Sequence, residues 1–272
     1  MLKQRIIVAI FLIPIGFAII AYGGLVYALF IVGILGLAAW EFSRLFRFAD
    51  YKPASYLIIS GAILIGLSRY YEDTMLEGFV IAALIITAML HHLISYERGQ
   101  DKAGTDFAIT IGGIFYIGWI GAYFISLRLL PEGKWWILIA LPAVWFADTG
   151  AYFFGRKFGR RKLSPRLSPN KTWEGYLAGI IVGILGTILL TSLWRIGAGA
   201  NTNITLLSGA IIGAVVAILA PVGDLGESMI KRQVGVKDSS NLIPGHGGAF
   251  DRIDSWLWAV VIGYYLIVTF FL

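Results

Sequence analysis

Between Ile6 and Trp40 the chain carries no charged side chain. A single helix over that stretch would run about 50 Å at 1.5 Å per residue, against about 30 Å of bilayer hydrocarbon, so it reads as two short spans broken at Tyr22-Gly23-Gly24. Similar apolar runs recur to the C-terminus. Spans are expected at 6–21, 24–40, 55–70, 77–95, 107–128, 135–154, 174–194, 204–222 and 256–272. With 58% hydrophobic residues and a mean hydropathy of +0.79, no soluble fold is compatible with the chain. The fold class expected is all-α, a polytopic integral membrane protein of about nine transmembrane helices.

Parity of the spans divides the 22 Lys and Arg between the two faces. Only Arg69, Arg128, Lys134 and Arg195 fall on the side away from the N-terminus. The positive-inside rule then makes the N-terminal side cytoplasmic. The expected location is the cytoplasmic (inner) membrane, with the polar loops facing the cytoplasm. The net charge of +6 is spread over loops flanking the membrane, which excludes a nucleic-acid partner.

Cysteine is absent and histidine occurs three times. A metal would therefore be held mainly by oxygen, which selects a hard cation such as Mg²⁺. Polarity is uneven along the chain. Residues 1–133, with about five spans, hold few unusual polar groups. Residues 134–272, with about four spans, hold nearly all of them, and the chemistry is assigned there. His91, His92 and tryptophans 135, 136, 194 and 256 read as interfacial.

Three constellations carry the chemistry. In "WFADTGAYFFGR" a carboxylate, Asp148, lies inside an apolar helix; at membrane depth it costs about 2.5–3.5 kcal/mol and calls for a partner or a watery cavity. It is followed by seven basic residues and no acid between Gly155 and Lys171, more than orientation requires, which suits a polyanion or an anionic headgroup. In "LSPNKTWEG", Ser168, Pro169 and Asn170 read as a helix start, and Lys171 beside free amides makes a phosphate site. From Pro221 to Ser255, Pro221 and Gly223 are expected to loosen the end of the eighth span at Asp224. Gly247 and Gly248 allow backbone amides to approach a ligand. Asp251 and Asp254, three residues apart at the start of the last span, share a face.

The run Ser228-x-Ile230-Lys231-Arg232-x4-Lys237-Asp238-x-Ser240-x2-Ile243-Pro244-x-His246-Gly247-Gly248-x2-Asp251-Arg252-Ile253-Asp254 resembles the signature of the phosphatidate cytidylyltransferases, the CDP-diacylglycerol synthases. "SPNKTWEG" and "ADTGAYFFGR" resemble that family's other marked stretches, in the same order. Ala249 stands where a bulkier apolar residue is expected. The resemblance covers roughly residues 140–260.

It implies an enzyme that joins CTP to phosphatidate in the bilayer, giving CDP-diacylglycerol and pyrophosphate with Mg²⁺ and room for a second cation. Asp224 and Asp251 are then assigned to the metal, with Asp148 or Asp254 as a further carboxylate. Lys171, Lys231, Arg232, Lys237 and Arg252 neutralise phosphates, Asp238 belongs to the same catalytic run, and His246 bonds a phosphate or orients a carboxylate. Ser168, Asn170, Gly247 and Gly248 contact substrate. Two rivals stand beside this reading: a CTP-dependent polyprenol or phytol kinase, and a transporter of anionic solutes. Association with a second copy of the chain is left open.

Overall fold

The computed structural model describes residues 13–199, 202–240, 242 and 247–272. Its helices are α1 (described over Ile13–Tyr22), α2 (Gly24–Arg47), α3 (Ser55–Tyr70), α4 (Thr74–Glu97), α5 (Ala103–Leu129), α6 (Gly133–Phe158), α7 (Trp173–Ala198), α8 (Leu206–Gln233) and α9 (Phe250–Phe270). Seven of them, α2 and α4 to α9, are long and apolar enough to cross a membrane. The protein is thus an all-α multi-pass membrane protein. The helix α3, with 16 residues, is shorter than those seven.

The described residues form two compact units. One contains the chain up to Ser126 together with Ile230–Ile253; the other contains Leu127–Met229 and Asp254–Leu272.

In the first unit, α2 buries Tyr27, Ala28, Ile31, Val32, Leu35, Ala38, Ala39, Phe42 and Leu45, a stripe at three- and four-residue steps that marks one helical face. This face packs on α3, whose Leu57, Ile58, Ala62 and Ile65 are also buried. The middle of α5 widens into a π-helical stretch, Ile114–Trp119. There Gly118 approaches the backbone of Ala62 so closely that an added Cβ would lie 3.2 Å from it. Polar groups in this unit are paired. Arg69 forms an ion pair with Glu77 and donates to Ser126 Oγ at 3.0 Å. His92 is buried against Thr110 at 3.0 Å.

In the second unit α6 and α7 are packed through small residues. Successive positions four apart on α7, Gly175, Gly179, Gly183, Thr187 and Thr191, are buried. Leu177, Ile181, Leu185, Leu189 and Leu193, at the same spacing on another face, are exposed. One helix therefore shows a small-residue seam toward its neighbour and an aliphatic stripe for lipid, the pattern expected where close backbone approach replaces the hydrophobic drive of water. A Cβ on Gly175 or Gly179 would stand 2.7 Å from a carbonyl oxygen, of Ala151 or Ala147 respectively. Trp136 is fully buried, its indole N–H donating to Pro131 O at 3.0 Å.

Two expectations change here. Ser168-Pro169-Asn170 does not start a helix: Ser168–Thr172 is a strand, β2, paired antiparallel with β1, Lys162–Ser164. The cap of α7 is Thr172, whose Oγ1 accepts from Gly175 N at 3.2 Å. Glu174 folds back to accept from the amides of Arg160 and Arg161 at 3.0 and 3.2 Å, tying the basic loop to the helix start. Nor does α8 end near Pro221; it continues to Gln233 with the proline inside it. A proline removes one helical hydrogen bond but need not terminate a helix held by tertiary packing.

Candidate active site

Asp224 and Glu227 stand three residues apart on α8, hence on one face. Asp254 comes from α9. Oxygens of these three carboxylates lie within 4.8 Å of one another, with Glu227 and Asp254 buried. Their approach is made possible by Gly223. A side chain there would meet Asp254 O at 2.5 Å and the Trp258 ring at 2.6 Å, so only glycine lets the two helices come this near.

Beside the trio, Lys171 on β2 forms an ion pair with Asp224. Lys171 also lines a cavity of about 540 Å³ with Asp148, Tyr152, Arg156, Lys162, Asn170, Tyr176 and Pro221. The cavity combines three cations and one amide with apolar walls from Ala147, Ala151 and Ala217. Such a lining suits an anionic head on an apolar body. The hairpin supplies Lys162, Asn170 and Lys171 to this wall, a placement that a loop leading directly into a helix would not give.

In the other unit, Asp251 has a different environment. Its carboxylate accepts from Lys231 Nζ at 2.8 Å, Gly248 N at 2.8 Å, Ser239 Oγ at 2.9 Å and Ser239 N at 3.1 Å. Asp251 was expected among the metal ligands; the structure gathers Asp224, Glu227 and Asp254 and engages Asp251 with donors. The amide of Gly248, expected to face a phosphate, is likewise committed to Asp251. Gly247 adopts φ 80°, where a side chain would be strained.

Glu41, from α2, is the second carboxylate here. It is completely buried and accepts from Ser240 Oγ at 2.6 Å, Phe250 N at 2.8 Å, and Ser239 Oγ and Ala249 N at 3.1 Å each. A Cβ on Gly248 would run into Ser239 Oγ and both Glu41 oxygens. Lys237 and Asp238 line a cavity of about 510 Å³ with Trp40, Arg44, Phe48 and Ser240. Arg232 and Arg252 are exposed, and so is Asn170, whereas Ser168 is half-buried. His246 lies outside the described residues.

Sequence reasoning overlooked two residues. Glu227 had a usable signal, since it sits three residues after Asp224 on what proves to be continuous helix. Glu41 had a weaker one: it follows an uncharged run and precedes basic residues, the ordinary look of a span end.

The family model described as the cytidylyltransferase family matches residues 3–270. A protein of Pseudomonas aeruginosa named phosphatidate cytidylyltransferase is 36% identical over 268 residues, covering 96% of this chain and 94% of its own length. The protein of that name from Bacillus subtilis is 32% identical over 278 residues, covering 99% of this chain and 98% of its own length. That from Synechocystis is 32% identical over 301 residues, with 97% and 96% covered.

Proposed function

The chain belongs to the cytidylyltransferase family, and from that premise we propose that it transfers the cytidylyl group of CTP to phosphatidate, giving CDP-diacylglycerol and pyrophosphate. The observation that carries the site assignment is the convergence of Asp224, Glu227 and Asp254 beside Lys171. A phosphate oxygen of the lipid attacks the α-phosphorus of CTP; a new P–O bond forms as the bond to pyrophosphate breaks. The nucleophile is already an anion near neutral pH, so no side chain has to remove a proton. The chain's main work is to hold two polyanions together and offset their charge.

The donor set fits a hard divalent cation. It consists of three carboxylates with no nitrogen or sulfur ligand, two of them buried, and like charges so placed call for a cation between them. Asp224, Glu227 and Asp254 would hold Mg²⁺, which when bound supplies charge neutralisation for the phosphates. Lys171 binds a phosphate when it exchanges its Asp224 contact for substrate. Arg156 and Lys162 draw an anionic head into the cavity, and the apolar wall excludes water around it. Arg232, Lys237 and Arg252, placed at helix ends and on the connection between α8 and α9, neutralise CTP phosphates. Asp251 holds Lys231, Ser239 and Gly248 in place.

The reading also puts the N-terminal side and these polar loops in the cytoplasm of a bacterial inner membrane, supported by the uneven distribution of Lys and Arg. Single cysteines at Lys162 and Gly199 should then label from opposite sides; labelling from one side would discard this topology.

The reaction is tested with purified protein in detergent, phosphatidate, Mg²⁺ and CTP labelled, in parallel samples, at the α- or at the γ-phosphorus. The α-label should enter the lipid with release of pyrophosphate, and Asp224→Asn should lower the rate by about 10²–10³-fold, the scale of losing one preorganised electrostatic group. Label entering a lipid only from the γ-position would overturn the reading in favour of a lipid kinase. Bound CTP without any labelled lipid would overturn it as well.

A further inference from the structure

Glu41 takes no part in the reaction drawn above, yet it is completely buried and fully engaged. Four donors surround it, at 2.6 to 3.1 Å, which matches the roughly four acceptor sites of an ionised carboxylate. Two of them are the amides of Ala249 and Phe250, separated from Glu41 by 208 and 209 residues of sequence. These are orphan amides at the start of α9, where an anion is favoured by both hydrogen bonding and the helix dipole. The third amide of that turn, Gly248 N, goes to Asp251. The helix start is therefore filled by two of the protein's own carboxylates.

The two are coupled through one hydroxyl. Ser239 Oγ lies 3.1 Å from Glu41 and 2.9 Å from Asp251. A hydroxyl carries a single proton and donates to one carboxylate at a time, so the donor set of Asp251 depends on the hold Glu41 has on Ser239. Asp251 in turn anchors Lys231 at 2.8 Å. Ser240, the other serine held by Glu41, lines the cavity that contains Lys237 and Asp238.

We propose that Glu41 is a positioning residue for cytidylyl transfer. Without touching substrate, it holds Ser239 and Ser240 against the Ala249–Phe250 start of α9, so that Lys231, Lys237 and Asp238 are presented in one arrangement. The proposal rests on the reaction assigned above.

The test compares wild type with Glu41→Gln, Ser239→Ala and the double variant in detergent. It reads kcat and KM for each substrate, and amide hydrogen exchange over residues 237–250. Glu41→Gln should speed exchange at Ala249 and Phe250 and lower kcat about tenfold or more, with KM for phosphatidate changed less than about threefold. The double variant should lose much less than the product of the two single losses, because both act through the same hydroxyl. Ser240→Ala, which leaves both carboxylates and the helix intact, keeps the test readable if Glu41→Gln does not fold; it should lower kcat about threefold.

Faster exchange with an unchanged kcat per folded molecule would reduce Glu41 to a structural cap and overturn the proposal. Unchanged exchange would overturn it too, by showing that Glu41 does not hold the start of α9. Wild-type protein that transfers no cytidylyl group would overturn the assigned reaction, and the exchange arm separates that outcome from a failure of Glu41 itself.

Discussion

Glu41 and Asp251 are met by hydroxyls, amides and an ammonium, whereas Asp224, Glu227 and Asp254 are turned toward one another. The first pair makes a finished arrangement: each buried negative charge has its donors, and moving any of them leaves a carboxylate uncompensated. The second group instead gathers like charges, three carboxylates with oxygens close to one another and Lys171 paired to Asp224. Two unit charges within 4.8 Å of one another repel by about 3.5 kcal/mol or more at an effective dielectric constant of 20, and the ion pair of Lys171 with Asp224 acts against this repulsion. Carboxylates set among hydroxyls and amides organise backbone; carboxylates gathered on one another make a place where a cation is favoured.

The contrast would be broken most directly at the trio. With excess Mg²⁺ the wild-type protein should gain stability, by about 2.7 kcal/mol at a concentration 100 times the dissociation constant. Asp254→Asn should abolish most of that gain, while in chelator the same variant should melt above wild type because one repulsion is gone. A variant that melts lower under both conditions would mean that the trio is not under electrostatic strain. Glu41→Gln is expected to do the reverse, melting lower with or without the cation.

A somewhat smaller effect is expected at Gly248. Gly248→Ala must displace Ser239 or Glu41, and overpacking of this kind costs about 1–3 kcal/mol. The thermal midpoint should fall and transfer activity with it, without loss of the Mg²⁺-dependent stabilisation. Loss of that stabilisation would show that the donor-filled set and the trio cannot be separated.

The smallest effect is expected at the α7 cap. Thr172→Ala removes the acceptor of Gly175 N and should cost about 1 kcal/mol, seen as a shift of a few degrees in melting. If transfer activity falls far more than folded protein does, the hairpin carrying Lys171 has moved, and the site is more sensitive to β2 than to its carboxylates.

Much of the architecture was legible because a bilayer leaves few choices. Long uncharged runs must satisfy their backbone internally, so each expected span falls on a helix, although the first is described only from Ile13. Ends were less legible. Pro221 and Gly223 look like a helix terminus in local terms, but packing carries α8 through to Gln233. Ser168-Pro169-Asn170 looks like a cap, yet pairing with Lys162–Ser164 makes it a strand. In both places a local preference of about 1–3 kcal/mol competes with long-range contacts that no window of sequence displays.

Within the site the division is similar. By itself the sequence determined the membrane class and the family motifs, because hydropathy, residue type and motif spacing are properties of the chain taken in order. It also singled out Asp224, Asp254 and Lys171. Only the tertiary structure decided that Glu227 joins those aspartates, that Asp251 is occupied with Lys231 and Ser239, and that Glu41 reaches across some two hundred residues to cap α9. The physical reason is that a carboxylate has the same chemistry everywhere in a sequence. Whether it binds a cation or holds a loop depends on which donors or like charges the folded chain sets around it.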